Sequence, residues 1–164
     1  MPNELDVKIQ QSIREWVDLG QWTKPFAVTL TFKQSIVAEG DIYGSRIFID
    51  EERASKNVSN FITRLTKKVH GNLGVRFGKK LRIFVVFEQT ETKPLHCHAV
   101  IDCPKRKLVD EFPSMIAEVW QKTPWGNVQK DVKSDANNGW ISYITKSRDK
   151  YNVADSIDWV NVSI

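Results

Sequence analysis

Cysteine is scarce in this chain, and long apolar runs are absent from it. The 164 residues include two cysteines, Cys97 and Cys103, whose positions suit reduced thiols better than a disulfide framework. No segment approaches the ~20 apolar residues of a membrane-spanning helix. Residues 1–20 carry several acidic side chains and no continuous apolar core, unlike a secretory signal. We therefore expect a cytoplasmic protein with no membrane partner.

Internal repeats, low-complexity tracts and the Gly-x-x-x-x-Gly-Lys-Ser/Thr phosphate loop are also missing from the sequence. The missing loop excludes a helicase motor of that type. The composition, 41% hydrophobic and 27% charged, is typical of a globular protein, and the length fits one compact domain. We expect residues 1–164 to form that domain, with an N-terminal helix at about 4–19 and a core at about 26–150.

The spacing of apolar residues predicts an α+β fold. Strands are expected at residues 26–32, 81–88, 95–102 and 127–132, with a last short strand in the tail. Helices are expected at about 4–19, 50–70, 108–120 and 138–150, and Pro113 either kinks the third helix or marks its first turn. Residues 33–49 predict a loop or a weak hairpin. The elements lack the regular period of a parallel doubly wound fold, so we expect a central antiparallel sheet of about five strands with helices packed on it.

The strongest chemical pattern is the triplet His96, Cys97 and His98 within an apolar run. Side chains of a strand alternate between its two faces, so the two imidazoles share a face and Cys97 points to the other. If the two central predicted strands pair as a hairpin, Glu88 lies on the histidine face whether it stands opposite His96 or opposite His98. The sequence therefore predicts a metal site formed by Glu88, His96 and His98.

This ligand set also restricts which metal ions can bind and what kind of site they form. Two nitrogens and one carboxylate leave coordination positions for water and a phosphate oxygen, which is typical of a catalytic site. One Mn²⁺ or Mg²⁺ ion suits the set, and zinc, cobalt or nickel could also bind. A structural zinc site would need a fourth close ligand, and strand parity removes Cys97 and Cys103 from this face. Gln89 and Glu91 are alternative third ligands if the strand ends earlier.

Tyr143 and Lys146 form the second chemical pattern. Residues three apart on a helix project from the same side, and Lys150 extends that side by another turn. A tyrosine hydroxyl can attack a phosphate that a bound metal makes electrophilic, while a lysine holds the phosphate charge. A Tyr-x-x-Lys motif alone more often marks an exposed helix surface. This one gains its weight from following the histidine triplet.

Basic residues concentrate between Arg64 and Arg82, a stretch without an acidic side chain. This run could neutralise phosphates along one edge of a site, although a solvated helix end and loop explain it equally well. The candidates for such contacts are Arg64, Lys67, Lys68, Lys79 and Lys80.

Three segments, in this order, resemble the motifs of the HUH endonuclease superfamily, in which U is a hydrophobic residue: Phe26–Phe32, Pro94–Ile101 and Tyr143–Lys146. The resemblance covers most of the chain. It is to the single-tyrosine replication initiators of rolling-circle plasmids and circular single-stranded DNA viruses, so the host-cell interior is the location expected for a protein from such a source.

The resemblance implies a fold, a site and a substrate. The fold would be HUH- or RRM-like, a relative of the ferredoxin fold. One Mn²⁺ or Mg²⁺ ion would lie on Glu88, His96 and His98, and Tyr143 and Lys146 would be catalytic. The activity would be sequence- or hairpin-specific nicking and joining of single-stranded DNA at a replication origin, through a 5′-phosphotyrosine, with any helicase supplied separately. Further DNA contacts are expected from Thr29, Thr31 and Lys150, besides the basic candidates above.

Other functions stay open at this point. A single-tyrosine HUH transposase or a relaxase-like strand transferase would use the same residues on another substrate. A non-catalytic module for single-stranded nucleic acid would bind without forming a covalent adduct, and exposed aromatic residues such as Trp125 would then contact the strand. A small metal-dependent hydrolase would use water as its nucleophile and would not need Tyr143.

Overall fold

The chain forms one antiparallel sheet, a separate small hairpin and four helices in the residues that the structure describes. The computed structural model describes residues 3–146 and 153–164. Its strands are β1 (Pro25–Phe32), β2 (Ser35–Val37), β3 (Arg46–Phe48), β4 (Ile83–Glu88), β5 (His96–Asp102) and β6 (Gly126–Lys133). Its helices are α1 (Glu4–Val17), α2 (Glu51–Arg76), α3 (Phe112–Gln121) and α4 (Asn138–Ile144). The sheet has the order β4-β5-β1-β6, and β2 pairs with β3. The predicted α+β class is confirmed, and so is the weak hairpin.

The C-terminal segment adds a fifth, interrupted strand at the outer edge of β4. Isolated antiparallel bridges join Ile83 to Ser163 and Val86 to Ile157. Between these bridges the segment turns, because the amide of Asn161 bonds the carbonyl of Asp158 instead of the sheet. The last short strand that the sequence predicts in the tail is therefore present as two bridges separated by this turn, and it covers the sheet edge.

Two interleaved crossovers place two helices on the same face of the sheet. β1 and β5 are both followed by a helix and then by a strand parallel to themselves, β4 and β6 respectively. The connections β1-α2-β4 and β5-α3-β6 start from antiparallel strands and cross the sheet in opposite directions. Because connections between parallel strands are right-handed, both helices pack on the same face of the sheet. This arrangement agrees with the expected ferredoxin-like relative.

The two faces of the sheet carry two hydrophobic clusters. On the first face, alternate β1 side chains pack against α2 and α3, as the alternation of residues 26–32 predicts, and the aromatic rings of Phe32 and Phe61 both contact Trp120. On the second face, Phe84, Val86 and Val100 pack under α1, α4 and the C-terminal segment. Because side chains alternate along a strand, each residue of β1, β4 and β5 faces either the two-helix core or this second face.

The ends of α2 and α3 agree in part with the bounds that the sequence predicts. Asp50 caps α2 by accepting the amide of Arg53 at 2.8 Å. Gly71 has φ 71° and breaks the helical geometry where the sequence predicts the end, but the chain resumes helical turns as far as Arg76. The third helix starts at Phe112 instead of 108, after a 3-10 turn, and Pro113 lies in its first turn.

The predicted helix at 138–150 is wrong in its extent. Helix α4 ends at Ile144, and Thr145 leaves helical geometry while its hydroxyl donates to the carbonyl of Ile141 at 2.6 Å. No apolar residue occurs between Thr145 and Lys150 to hold a further turn on the sheet. Lys150 lies outside the described residues.

Within the described ranges, no helix combines the length and the hydropathy that crossing a membrane requires.

Candidate active site

The two central strands bring Glu88, His96 and His98 together. The register pairs Glu88 directly with His96 and places His98 opposite Val86, so the three polar side chains share the second face of the sheet. Nε2 of His98 lies 3.0 Å from Oε2 of Glu88, and Nε2 of His96 lies 3.9 Å from the same oxygen. The two Nε2 atoms are 3.2 Å apart. Of the two registers that the sequence allows, the structure has the one with Glu88 opposite His96.

Hydrogen bonds on the far side of each ring orient both histidines. Nδ1 of His96 lies 2.8 Å from the carbonyl oxygen of Pro94, which can only accept a hydrogen bond. Neutral His96 therefore carries its proton on Nδ1 and keeps a lone pair on Nε2. Nδ1 of His98 lies 2.9 Å from the hydroxyl of Thr29, which can accept in the same way. This pattern, with one ring nitrogen held by a protein oxygen, is typical of metal-binding histidines.

The arrangement of donor atoms fits a metal ion. Metal–ligand bonds of about 2.0–2.2 Å at tetrahedral or octahedral angles put neighbouring donor atoms roughly 3.0–3.5 Å apart. Two of the three observed spacings, 3.0 and 3.2 Å, fall in that range, and the third is 3.9 Å. All three ligand atoms lie within 4.8 Å of one another. The group could hold a metal ion.

Burial adds an electrostatic reason for a cation. Glu88 is 8% exposed and His98 is 6% exposed. A carboxylate removed from water is costly unless positive charge or hydrogen bonds compensate it. Nε2 of His98, 3.0 Å away, can donate to the Glu88 carboxylate, and a divalent ion would supply positive charge in place of that hydrogen bond.

Cysteine does not contribute to this group. Cys97 lies in the two-helix core, and burial raises the pKa of its thiol. Cys103 is also buried, with a free thiol whose pKa is raised for the same reason. Strand parity thus predicts correctly that neither thiol faces the histidines. Gln89 and Glu91 follow the end of β4 and lie outside the three-residue group.

Tyr143, on α4, lies over Glu88, His96 and His98, which are called the metal group below. Its ring centroid is 5.9 Å from that of His98, and the two rings meet edge to face. Trp140, one helical turn earlier, stacks on Tyr143 with centroids 5.4 Å apart and also contacts His98. The indole N–H of Trp140 donates to the carbonyl of Ala99 at 3.1 Å, which fixes α4 to β5 beside the site. Tyr143 remains 39% exposed.

Trp140 is a further site residue, which the sequence patterns described above do not identify. Its spacing with Ile141 and Ile144 is compatible with a buried stripe, and partial burial against that cluster is observed. The available signal was its position three residues before Tyr143, since residues three apart share a helix side.

Lys146 stays close to Tyr143 although the helix has ended. Its Nζ lies 6.0 Å from the centroid of the tyrosine ring. The expected proximity is therefore present, but it comes from the turn after α4 and not from a further turn of helix.

A cleft of about 480 Å³ opens from the metal group toward β6. Thr29, Thr31 and Tyr143 line it beside the two histidines. Four further polar residues line it that the sequence does not single out: Gln34, Lys93, Asn127 and Asp131. Thr31 pairs with His96 across the strands and Thr29 with His98, so both predicted threonines lie on the site face. Thr29 contacts a histidine directly.

The predicted basic contacts lie elsewhere. Arg64, Lys67 and Lys68 are on α2, which packs on the opposite face of the sheet, and Lys68 pairs with Glu118 at 2.7 Å. Lys79 and Lys80 line a separate cavity of about 380 Å³ between α2 and the C-terminal segment. The charge run therefore does not line the cleft, and a role in DNA contact stays a prediction for a second surface.

Comparison with known proteins gives a family. No curated protein and no solved structure matches the chain significantly. A family model described as replication-associated protein ORF2/G2P matches residues 25–151, which is more than three quarters of the sequence and includes β1, the metal group and α4. The chain belongs to the replication-associated protein ORF2/G2P family.

Proposed function

We propose that this protein is a metal-dependent nickase and strand transferase that acts on single-stranded DNA at a replication origin, with Tyr143 as its nucleophile. The position of Tyr143 over His98, beside a cleft of about 480 Å³, is the observation that carries the proposal. Membership of a replication-associated family supports the choice of DNA at an origin as substrate.

Glu88, His96 and His98 would hold one divalent ion, and Mn²⁺ or Mg²⁺ suits their oxygen and nitrogen donors. When bound, the ion would withdraw charge from the scissile phosphate and make its phosphorus more electrophilic. The carbonyl of Pro94 keeps Nε2 of His96 available as a ligand, and the hydroxyl of Thr29 does the same for His98 when it accepts from Nδ1. These two contacts prepare the site before any substrate enters.

The proposed step is a transesterification. The bond between the hydroxyl oxygen of Tyr143 and phosphorus forms, and the bond between phosphorus and the 3′-oxygen breaks. The phenolic proton passes to solvent, and the departing 3′-oxygen takes up a proton. The product is a 5′-phosphotyrosine and a free 3′-hydroxyl, so attack by a 3′-hydroxyl reverses the step and reseals a strand without ATP.

Two neighbours of Tyr143 have supporting roles in this proposal. Trp140 holds the phenol ring by stacking and limits its rotation away from the metal group. Lys146 provides a positive charge within reach of a phosphate attached to the tyrosine oxygen. Unwinding of duplex DNA would fall to a separate helicase.

The test is a search for the covalent adduct. Single-stranded oligonucleotides that tile the replicon encoding the chain, labelled at the 3′ end, are incubated with the protein and Mn²⁺ and separated on a denaturing gel. The proposal expects a labelled band shifted by the mass of the protein, because the 3′ part of the strand stays on the tyrosine. Chelation of the metal should remove the band.

Tyr143→Phe should abolish the adduct and keep binding. Tyr43→Phe is the matched control, since Tyr43 is 89% exposed between the hairpin strands β2 and β3. A labelled fragment that is cut but free of protein would favour the metal-dependent hydrolase. Binding without cutting, with Mn²⁺ shown to be bound, would favour the non-catalytic module and contradict the proposal.

A further inference from the structure

We infer that Asp131 selects the base beside the scissile phosphate, by accepting hydrogen bonds from the Watson–Crick edge of an unpaired guanine and disfavouring thymine. The inference rests on the proposed function for the identity of the strand in the cleft. It concerns the β6 wall of that cleft, which no part of the proposed chemistry uses.

The sheet register places Asp131 in line with the metal group. Asp131 of β6 pairs with Thr29 of β1, and Thr29 pairs in turn with His98 of β5. All three side chains lie on the same face, because directly opposed residues share a face. Asp131 thus lines the cleft two strands away from His98, a separation of roughly 9–10 Å at the usual strand spacing. A nucleotide with its phosphate at the metal group has room for its base over β6.

An irregularity in β6 turns a second polar side chain toward the same wall. Leu30 pairs with Lys130, but Phe32 pairs with Gly126, so two steps along β1 correspond to four along β6. Regular pairing would have placed Val128 opposite Phe32. Bulges of this kind often redirect side chains next to functional sites. Asn127 lies in the bulged stretch and lines the cleft with Asp131.

The charges of the cleft divide it into two sides. Lys93 lies beside the histidines and Lys146 lies near Tyr143, so two lysines, together with a metal ion on Glu88, would place positive charge at the end that holds phosphate. Asp131 is the acidic side chain on the opposite wall. A carboxylate repels phosphate and attracts the N–H groups of bases. The strand is therefore expected to enter with its backbone toward the metal group and its bases toward β6.

The chemistry of the base edges then gives the preference. An ionised carboxylate only accepts hydrogen bonds, and its two oxygens can accept two parallel N–H groups. Guanine presents N1–H and the N2 amino group side by side, and thymine presents a single N–H between two carbonyl oxygens that the carboxylate would repel. Bases of a single strand expose these edges to protein side chains. The ion pair of Asp131 with Lys133, 3.2 Å long, is solvent-exposed and weak enough to yield to such a contact.

The experiment measures binding, so it does not depend on the cutting step. A randomised single-stranded DNA library is bound in the presence of Mn²⁺ to the Tyr143→Phe variant, and the retained strands are sequenced. The same selection is run with Asp131→Asn added. The amide has one acceptor and one donor, so it cannot accept both guanine N–H groups. We expect guanine to be enriched over thymine at one position by about tenfold or more, in the range of one bidentate contact, and Asp131→Asn to remove the enrichment at that position alone.

Asp110→Asn is the matched control, because Asp110 is exposed, loses the same charge and lies outside the cleft. It should leave the guanine preference unchanged. A preference that survives Asp131→Asn, a loss that affects all positions equally, or the absence of any base preference would each overturn the inference. Thermal unfolding of both variants checks that Asp131→Asn and Asp110→Asn leave the fold intact. The adduct assay judges the proposed function separately, since it can succeed while Asp131 proves irrelevant, and it can fail while Asp131 still selects a base.

Discussion

Removing the hydroxyl of Thr29 tests whether the histidines are oriented for a metal. The hydroxyl lies 2.9 Å from Nδ1 of His98, a side chain that is 6% exposed. Thr29→Val keeps the shape and the strand propensity of the side chain but removes the hydroxyl that can accept a hydrogen bond from Nδ1. His98 is then free to place its proton on Nε2, the nitrogen that faces Glu88. Metal binding must reverse that change, so the affinity should fall.

The expected loss is substantial. Partners of metal-binding histidines typically contribute 10- to 100-fold in affinity, which corresponds to about 1.4–2.7 kcal/mol. The desolvation of a buried N–H without a partner, about 1–3 kcal/mol, has the same size. Titration of the protein with Mn²⁺, followed calorimetrically or by the electron paramagnetic resonance of free Mn²⁺, measures the change directly.

Two controls separate orientation from general damage. Thr29→Ser keeps an acceptor and should restore most of the affinity. Thr63→Val makes the same chemical change on α2, where the hydroxyl donates to the carbonyl of Ser59, and should leave Mn²⁺ affinity unchanged. A Thr29→Val protein that binds Mn²⁺ within twofold of the original would refute the reasoning, and so would an equal loss in Thr63→Val.

Three further outcomes follow from the same structure. Mn²⁺ at 100 times its dissociation constant should stabilise the fold by about 2.7 kcal/mol and raise the melting temperature by several degrees, and Glu88→Gln should remove most of that rise. Cys97 and Cys103 should resist a thiol reagent in the native state and react in denaturant, because burial raises both pKa values; rapid native labelling would contradict the packing. Hydrogen bonds from two lysines lower the pKa of Glu118 from 4.5 to about 2, so their stabilisation is present above pH 4.5 and is lost as the pH falls toward 2. Urea midpoints of Glu118→Gln and the original chain should therefore converge at low pH, and a constant difference would refute the assignment.

The metal group could be predicted from the sequence because it depends on strand parity. A strand has a side-chain period of two, so His96 and His98 share a face in any register. Glu88 joins them in both of the pairings that the hairpin allows. The choice between the pairings depends on how the chain turns between the strands, where the amide of Thr90 bonds the carbonyl of Lys93, and the composition of that turn does not determine it.

The DNA contacts could not be predicted in the same way, because a run of basic residues does not indicate on which face of the sheet its side chains lie. Arg64 and Lys67 lie on a helix whose side of the sheet depends on the crossover between β1 and β4, a property of the whole topology. Asp131 could not be identified from the sequence because no charge pattern marks it. It is a single acidic residue among the lysines of an edge strand, and it enters the cleft through pairing with β1, which is about a hundred residues away in sequence.

The position of the site follows from how the second face of the sheet is covered. Helices α2 and α3 close the first face, and among the described residues α1, the seven-residue α4 and the C-terminal segment cover the other. Burial decreases along β5 from Val100 to His96. Val100 is fully buried, and the side chains of His98 and His96 are 7% and 12% exposed. Tyr143 lies on the last turn of α4, above the more exposed end of β5. A longer α4 would extend over the sheet past Tyr143, whereas in the structure Tyr143 is 39% exposed and the His96 side chain 12% exposed. The short helix, which the sequence pattern overestimates, is thus a requirement of the chemistry that we propose for the site.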